Sequence, residues 1–444
     1  MDKFVITGGI PLCGEVTIGG AKNVALKVLV ASLLTDEELI IHNVPLLRDV
    51  TFMLEVLKSL GVTHTMRDHT VVIQHVQQKN TIVPLEVGAR LRTSSMVVGP
   101  MLARLGEATI PNPGGCRLGA RPIDRHMEAL KLMGAHVEYH SDDGYFYLRA
   151  KKLHGATIEF PKNTHTGTET LLLAAVLAEG TTVLKNAAEE VEIDGLISLL
   201  NAMGAKITRS GFREITIEGV ASLHGVEYTI MPDRNEEVTF AIAAAITRGD
   251  VTIHNSQIST LGAFIDMFTK SGMKFEQIDA HTTKYFGEGS FKATDIVTAP
   301  FPGFMTDWQA PWAVYMTQAK GISTIHETIF ESRFSYVAEL KKMGAEIDFY
   351  DPIVKDPKTF YNFNWKDRVN GYHQGIRITG PAKLHNAVLH IDDLRAGATL
   401  ILAALVAGGE SYIHGVEQVD RGYEKIEERL SQLGANIKRI TEEQ

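Results

Sequence analysis

The stretch RHMEALKLMGAHVEYHSDDGYFYLRA, residues 125–150, decides the fold because its elements recur along the chain. Its first half spaces apolar residues as the buried face of an amphipathic helix does. Gly134 follows and is typical of a helix C-cap in the left-handed conformation, which glycine adopts without steric cost. The second half alternates as strands do, with Asp143-Gly144 at a hairpin turn. The stretch predicts a helix followed by a β-hairpin.

The same glycine recurs at spacings of 73, 70, 68, 72 and 90 residues. A helix rich in small residues and apolar on nearly all sides begins each of these repeats, which indicates a buried helix. We therefore predict an α/β protein of six βαβαββ-like repeats that pack on one another as layers. The recurring glycines are Gly61, Gly134, Gly204, Gly272, Gly344 and Gly434.

The last spacing is longer because of DPIVKDPKTFYNFNWKDRVNGYHQG, residues 351–375. This segment is polar and aromatic and has no clear period. We interpret it as an insertion on the last repeat, and we expect a surface loop without a catalytic role. Its replacement by a short Gly/Ser bridge is expected to leave a folded, active protein.

Composition limits the kinds of partner and compartment. The chain has 444 residues, is 44% hydrophobic and carries a formal net charge of -9. The charge argues against nucleic acid or an anionic membrane as the main partner. The two cysteines form no disulfide framework, and no apolar run is long enough for a signal peptide or a membrane span. We expect a cytoplasmic protein without membrane insertion, and a buried, inert Cys13.

Charged residues at the starts of the buried helices point to an anionic ligand. Lys22 and Asn23, Arg92, Asp307 and Arg395 stand at four of the six starts. Helix N-termini carry unpaired N–H groups, so a cleft lined by such ends and by cations binds phosphate or carboxylate. The alternative is that these residues are ordinary caps, with Asp307 as the N-cap of its helix.

A glycine-rich loop, PNPGGCRLGARPIDRH at 111–126, carries the second cysteine. Cys116 stands among Arg117, Arg121 and Arg125, and neighbouring arginines favour the reactive thiolate. Pro122 suits the first turn of a helix.

Other motif classes are missing from the sequence. No GxGxxG follows a strand, and neither GxxxxGK[ST], HExxH nor a Cys/His cluster occurs. The sequence therefore predicts no nucleotide fold of those kinds, no metal and no cofactor. His126 and His326 are expected to be structural or surface histidines.

Six motifs in order carry a resemblance to a known family. They are GAKN at 20–23, PGGCRLGARPID at 113–124, TDWQA at 306–310, FESRF at 330–334, DLRAGA at 393–398 and DRGYEKIE at 420–427. Together they resemble the UDP-N-acetylglucosamine enolpyruvyl transferases, the MurA family, over the whole chain except 351–375. The resemblance implies a two-domain inside-out α/β barrel of six βαβαββ repeats. It further implies one domain at 22–229 carrying the Cys116 loop, and another formed by 1–21 and 230–444, with an active-site cleft that closes on substrate.

The resemblance also implies a reaction. The enolpyruvyl group of phosphoenolpyruvate would move to the 3′-hydroxyl of UDP-N-acetylglucosamine with release of phosphate, the first committed step of peptidoglycan precursor synthesis. Cys116 would donate a proton and Asp307 would accept one, while Asp393 and Arg395 support the reacting centre. The implied phosphoenolpyruvate ligands are Lys22, Arg121 and Arg421, and the other implied substrate contacts are Asn23, Arg92, Pro122, Asp124, Lys162 and Ile329.

The chain departs from the family pattern at four places. Arg117 and Arg125 replace smaller or apolar residues, and KNTHTGTET at 162–170 and DRNEEVT at 233–239 replace the usual runs. Two alternatives stay open. One is a shikimate-pathway enolpyruvyl transferase, a class that lacks the loop cysteine. The other is a catalytically silent paralogue that binds UDP-sugar and regulates wall synthesis.

Overall fold

Six small β-sheets with packed helices make up the computed structural model, which describes residues 2–76, 80–113 and 123–441. The strands, numbered in chain order, are β1 (Asp2–Thr7), β2 (Gly14–Thr17), β3 (Leu39–His42), β4 (Val62–Arg67), β5 (Thr70–His75), β6 (Glu107–Pro111), β7 (His136–His140), β8 (Tyr145–Arg149), β9 (Thr157–Glu159), β10 (Thr181–Lys185), β11 (Lys206–Gly211), β12 (Glu214–Glu218), β13 (Glu227–Thr229), β14 (Asp250–His254), β15 (Lys274–Asp279), β16 (Thr282–Phe286), β17 (Ile296–Val297), β18 (Gly321–His326), β19 (Glu346–Tyr350), β20 (Gly375–Gly380), β21 (Val388–His390), β22 (Glu410–His414) and β23 (Asn436–Thr441).

Helices alternate with these strands throughout the described ranges. The α-helices are α1 (Lys22–Val30), α2 (Arg48–Ser59), α3 (Leu85–Gly88), α4 (Val98–Leu105), α5 (Asp124–Leu132), α6 (His165–Ala175), α7 (Val191–Ala202), α8 (Arg234–Thr247), α9 (Gly262–Lys270), α10 (Thr306–Thr317), α11 (Tyr336–Lys342), α12 (Pro357–Phe360), α13 (Leu394–Val406) and α14 (Ile426–Gln432). Short 3-10 helices occupy Ala31–Leu34, Arg92–Val97, Ile258–Thr260, Trp365–Asp367 and Val416–Arg421.

The sheets repeat one topology, which confirms the six repeats. In the third repeat, for example, β9 pairs parallel to β10, and an antiparallel hairpin of β11 and β12 follows. Within the described residues the sheet of the second repeat has three strands, and an isolated parallel bridge from Ile82 to Thr109 lies beside it. The strand orders are β13-β3-β5-β4, β6-β8-β7, β9-β10-β12-β11, β2-β14-β16-β15, β17-β18-β20-β19 and β21-β22-β1-β23.

The chain divides into two compact units. The N-terminal unit contains the described residues of 20–231, and the C-terminal unit contains 2–19 and 232–441. The first strand belongs to the last sheet, because β1 lies between β22 and β23. The last strand of the N-terminal unit, β13, likewise pairs with β3 of the first sheet.

Buried apolar helices pack together in the core of each unit. In the C-terminal unit α8, α10 and α13 contact one another, and in the N-terminal unit α4 contacts α6. Gly99 permits the latter contact, since a Cβ there would lie 2.6 Å from the carbonyl oxygen of Thr170. Because these helices are buried on nearly all sides, they are stabilised by packing more than by an amphipathic pattern.

The recurring glycines adopt the predicted conformation. Their φ values are 90° at Gly61, 101° at Gly204 and 91° at Gly344, and 96° at the remaining three, Gly134, Gly272 and Gly434. The hairpin predicted within 125–150 is also confirmed, since β7 and β8 pair with His140 opposite Tyr145. Local rules for caps and turns were therefore sufficient to place these elements.

Two expectations about individual segments were wrong. The segment 351–375 connects β19 to β20, so it belongs to the fifth repeat and not to the last, and it buries Tyr361 and Phe363. Cys13 is exposed. Leu12 next to it takes the core position, and adjacent residues of extended chain point to opposite sides.

Among residues 2–76, 80–113 and 123–441, none of the helices combines the length and the apolar character needed to cross a bilayer.

Candidate active site

The start of α10 in the C-terminal unit presents Asp307. The helix begins at Thr306 and its N-cap is Met305, so Asp307 lies in the first turn and is not the cap. Trp308 and Trp312 anchor the same helix in the core, where they pack edge-on against Phe304. The side chain of Asp307 is 24% exposed, so a carboxylate faces solvent from a fixed helix.

Two arginines flank this carboxylate. Arg333 donates from Nη2 to Oδ1 of Asp307 at 2.7 Å, and Nε of Arg395 lies 3.5 Å from the same oxygen. Both guanidinium groups are buried, and buried ionic groups need such partners. The arrangement orients the carboxylate through charge-assisted contacts.

A second carboxylate ties the cluster to α13. Asp393 is the N-cap of that helix, and its Oδ1 accepts from the backbone N–H groups of Arg395 and Ala396 at 2.9 and 3.1 Å. Its Oδ2 accepts from the hydroxyl of Ser335 at 2.8 Å, and its Oδ1 lies 3.9 Å from Nη1 of Arg333. The starts of α10 and α13 are therefore joined through Arg333.

Arg395 also contacts the DRGYE motif at 420–424. Its Nη1 donates to the hydroxyl of the buried Tyr423 at 3.0 Å, and that hydroxyl is 2.8 Å from Thr239 Oγ1. Burial alone would lower the pKa of Arg395, but Tyr423, Asp307 and Asp233 together raise it. Arg421, two residues earlier, is half-buried and donates to Oε1 of Gln418 at 3.3 Å.

The loop that carries Ile329 is built around a buried carboxylate. Glu327 accepts at Oε1 from the backbone N–H groups of Ile329 and Phe330, at 2.8 and 3.1 Å. Its Oε2 accepts from the hydroxyl of Thr306 at 2.9 Å. Burial raises the pKa of Glu327, opposed by Arg333. Half-buried Ile329 is thereby fixed relative to the start of α10.

In the N-terminal unit, α1 begins with the predicted pair of residues. Lys22 is its first residue and Asn23 its second, and no side chain caps this helix. Nζ of Lys22 lies 3.0 Å from Oδ2 of the buried Asp49. Lys22 thus places a partly exposed ammonium group at the start of a helix, where the positive end of the helix dipole also favours an anion.

Three further predicted residues lie near element starts of the same unit. Arg92 begins a 3-10 helix, Asp124 begins α5 and is exposed, and Lys162 precedes α6 and is half-buried. His126 connects two of these starts, because its Nε2 is 3.0 Å from the hydroxyl of Thr166 in α6. Burial, with Arg92 and Arg125 nearby, lowers the pKa of His126 to about 4, so this histidine is neutral and structural.

The segment 162–170, which departs from the family pattern, contributes a buried ion pair. Oε1 of Glu169 lies 2.8 Å from Nζ of Lys27, and both side chains are almost fully buried. Burial raises the pKa of Glu169 to about 7, and the carboxylates of Glu192 and Glu190 raise it too, while Lys27 lowers it.

Some predicted site residues lie outside the described residues. These are Cys116, Arg121 and Pro122, whose roles stay predictions. In the part of the chain that the structure describes, no group of three or more His, Cys, Asp or Glu side chains is arranged to hold a metal ion.

Sequence reasoning missed the side chains that organise the site. Arg333 and Glu327 were given no role, although Arg333 stands in the FESRF motif. Phe330 and Phe334 stand on either side of Arg333 within that motif, and an arginine that is buried beside them needs partners such as carboxylates. That signal could have drawn attention to Arg333, but its partners Asp307 and Asp393 are distant in sequence.

Comparison with known proteins identifies the family. A family model described as EPSP synthase (3-phosphoshikimate 1-carboxyvinyltransferase) matches residues 6–430. A UDP-N-acetylglucosamine 1-carboxyvinyltransferase of Magnetococcus marinus is 44% identical over 99% of this chain and 100% of the relative. A protein of the same name from Acidobacterium capsulatum is 42% identical over 99% of this chain and 96% of the relative. The chain belongs to the UDP-N-acetylglucosamine 1-carboxyvinyltransferase family.

Solved structures of enolpyruvyl transferases share this family's fold. The enolpyruvyl transferase NikO from Streptomyces tendae superimposes with a TM-score of 0.86 at 22% identity, covering 100% of this chain and 99% of the other. EPSP synthase from Acinetobacter baumannii gives 0.74 at 20% identity, covering 99% of this chain and 100% of the other. The expected inside-out α/β architecture is thereby confirmed.

Proposed function

We propose that this protein transfers the enolpyruvyl group of phosphoenolpyruvate to the 3′-hydroxyl of UDP-N-acetylglucosamine and releases phosphate. The observation that carries the proposal is similarity from end to end to relatives that bear this activity in their names. The product would enter peptidoglycan precursor synthesis as its first committed intermediate. The proposal includes a cytoplasmic location.

The reaction needs an acid, a base and fixed cations. The acceptor oxygen bonds to C2 of phosphoenolpyruvate as its proton goes to a base and C3 gains a proton from an acid. C3 then loses a proton, the bond from C2 to the phosphate oxygen breaks, and phosphate leaves. Cations must hold the phosphate and carboxylate groups throughout.

The proposal assigns the base to Asp307. Its carboxylate is partly exposed and is oriented by Arg333 and Arg395, which supports a positioned proton acceptor. Asp393 and Arg395 would act in support of the reacting centre, and Ile329 would contact the UDP-sugar. Arg421 would bind phosphoenolpyruvate.

The N-terminal unit would supply the remaining groups. Lys22 and Arg121 would bind phosphoenolpyruvate, and Cys116 would donate the proton to C3. The other proposed substrate contacts are Asn23, Arg92, Pro122, Asp124 and Lys162.

One assay tests the proposal against its alternatives. The purified chain is incubated with phosphoenolpyruvate and, separately, with UDP-N-acetylglucosamine, 3-phosphoshikimate or no acceptor. Phosphate release only with the UDP-sugar, together with a product heavier by the enolpyruvyl group, is expected. Release only with 3-phosphoshikimate would favour the shikimate-pathway alternative. UDP-sugar binding without release would favour a silent paralogue.

A further inference from the structure

The insertion 351–375 is a folded element with its own aromatic cluster. The ring of Tyr361 stacks on that of Trp365 with centroids 4.8 Å apart, and Phe363 lies 5.0 Å from Tyr361. The guanidinium of Arg368 lies 4.9 Å from the centre of the Trp365 ring. Tyr361 is 1% exposed, which a solvated loop would not achieve.

The connection from β19 to β20 does not require a segment as long as 351–375. β19 and β20 are adjacent antiparallel strands, and Tyr350 pairs with Gly375 in the register. A two-residue turn joins strands at this separation. The segment between the two strands is therefore much longer than their connection requires.

The middle of the insertion binds the segment 326–331. The hydroxyl of Tyr361 lies 3.1 Å from Nε2 of His326, the last residue of β18, and the ring of Phe360 stacks on the same imidazole at 5.3 Å. The backbone N–H of Asn362 donates to the carbonyl of Thr328 at 2.8 Å. Burial lowers the pKa of His326 and raises the pKa of Tyr361 to about 12, so both groups are neutral near pH 7.

The end of the insertion binds the same segment from a second point. The carbonyl of Gln374 accepts from the backbone N–H of Glu327 at 2.9 Å, and its Nε2 donates to the carbonyl of Glu331 at 3.0 Å. Gln374 is 1% exposed. The insertion therefore binds segment 326–331 at four residues, which are His326, Glu327, Thr328 and Glu331.

We propose that the insertion is a positioning element that holds segment 326–331 in the conformation that presents Ile329 to the UDP-sugar. This inference rests on the proposed function. Tyr361 and Gln374 act through the segment and are positioning residues. A segment that is already ordered loses less conformational freedom on binding, so its contribution appears in affinity for the UDP-sugar.

Point variants with a matched control test this role. Tyr361→Ala and Gln374→Ala are compared with Ile353→Ala, a fully exposed residue of the same insertion. Calorimetry with UDP-N-acetylglucosamine is expected to give a Kd raised roughly threefold to tenfold for the first two, the range that a hydrogen bond supplies. The KM for phosphoenolpyruvate and kcat at saturation should stay within about twofold, and Ile353→Ala should match the parent.

Two further variants keep the test decisive. Tyr361→Phe retains the ring but removes the hydroxyl that contacts His326, so it should raise the Kd for the UDP-sugar within the same roughly threefold to tenfold range, and it keeps the test usable if Tyr361→Ala fails to fold. Replacement of 351–374 by Asn-Gly should leave a cooperative melting transition and a weakened UDP-sugar Kd.

The outcomes separate the two proposals. A parent that turns over both substrates, with folded variants that keep its Kd, overturns the positioning role alone. A fall in kcat with an unchanged Kd also overturns it. A parent that neither binds nor converts UDP-N-acetylglucosamine overturns the proposed function and this inference together.

Discussion

Asp307 and Arg333 form a close ion pair in which 2.7 Å separates Oδ1 of the carboxylate from Nη2 of the guanidinium. The arginine side chain is 4% exposed and the aspartate side chain 24%, so the partner that reaches solvent is the carboxylate. Arg333 also lies 3.9 Å from Asp393, the cap of α13. A buried cation therefore fixes a partly exposed carboxylate against two helices.

Replacing Asp307 by asparagine should remove the proposed base while keeping the shape of the side chain. We expect kcat to fall by at least about a hundredfold, the usual effect of losing a positioned acid or base. The Kd values of both substrates should change far less. Steady-state kinetics and calorimetry check this, with the exposed Asp348→Asn as control. An Asp307→Asn protein with half of the parent kcat would exclude Asp307 as the base.

Replacing Arg333 by lysine should disturb both carboxylates, because an ammonium group lacks the planar fork that reaches Asp307 and Asp393. We expect a lower kcat and a loss of about 1–3 kcal/mol in the free energy of unfolding. The exposed Arg377→Lys in β20 serves as control.

If Arg333 acts through Asp307, the kcat effects of Arg333→Lys and Asp307→Asn should not add in the double variant. Full additivity would mean that Arg333 contributes independently of the proposed base.

Lys22→Ala should weaken phosphoenolpyruvate binding by about tenfold or more, since a charge-assisted hydrogen bond contributes roughly 1.5–3 kcal/mol. UDP-N-acetylglucosamine binding should change less. The variant also deprives buried Asp49 of an ammonium partner, so thermal unfolding must be measured beside binding. Lys58→Ala, an exposed lysine of α2, is the control. Equal weakening of both substrates would count against the assignment.

The buried His126 should make the protein sensitive to acid. Its pKa is lowered to about 4, so between pH 6.5 and 4 the unfolded chain takes up a proton that the folded chain does not. The stability linked to this residue is complete above pH 6.5 and is lost as pH falls. From pH 7 to pH 5 the parent should lose about 1–2 kcal/mol more than His126→Gln.

Urea unfolding at pH 5, 6 and 7 measures this difference, and the exposed His136→Gln is the control. Parallel losses in the parent and in His126→Gln would show that His126 does not cause the sensitivity.

The parts of the fold that sequence could predict are those governed by neighbouring residues. Gly134 ends a helix because only glycine enters the left-handed region cheaply, and that rule needs no knowledge of the rest of the chain. Lys22 and Asp307 were likewise found at helix starts as expected. The six sheets followed from the repeated order of these local elements.

The parts that could not be predicted depend on distant partners. Arg333 needs Asp393, 60 residues away, before its role is visible. Tyr361 looked like part of a surface loop because its anchor, His326, stands 35 residues earlier. Cys13 was misplaced because apolar neighbours indicate a strand without showing which of its faces is buried.

Cys116 gives a prediction about acid catalysis, because a bound phosphate dianion disfavours the thiolate that the neighbouring arginines favour, and so keeps the thiol protonated for donation. Cys116→Asp should keep some turnover, since a carboxylic acid also donates a proton, with an optimum moved to lower pH. Cys116→Ser should lose about a hundredfold or more, because a hydroxyl is a far weaker acid. The pH–rate profiles of both variants and the parent check this. A serine variant as active as the parent would exclude the acid role.

The same cysteine should also be the nucleophile that small phosphonate epoxides such as fosfomycin modify. Arg117, Arg121 and Arg125 stand beside it in sequence and favour the thiolate, which is the form that opens an epoxide ring. The sulfur would bond to a ring carbon as the carbon–oxygen bond breaks, and the alkoxide would take up a proton. Cys116→Asp should therefore resist inactivation while retaining turnover, whereas the parent gains the mass of one epoxide. Cys13 supplies an internal control, since it is exposed but has no arginine near it in sequence. Peptide mapping that finds the adduct on Cys13, or an aspartate variant still inactivated covalently, would exclude Cys116 as the nucleophile.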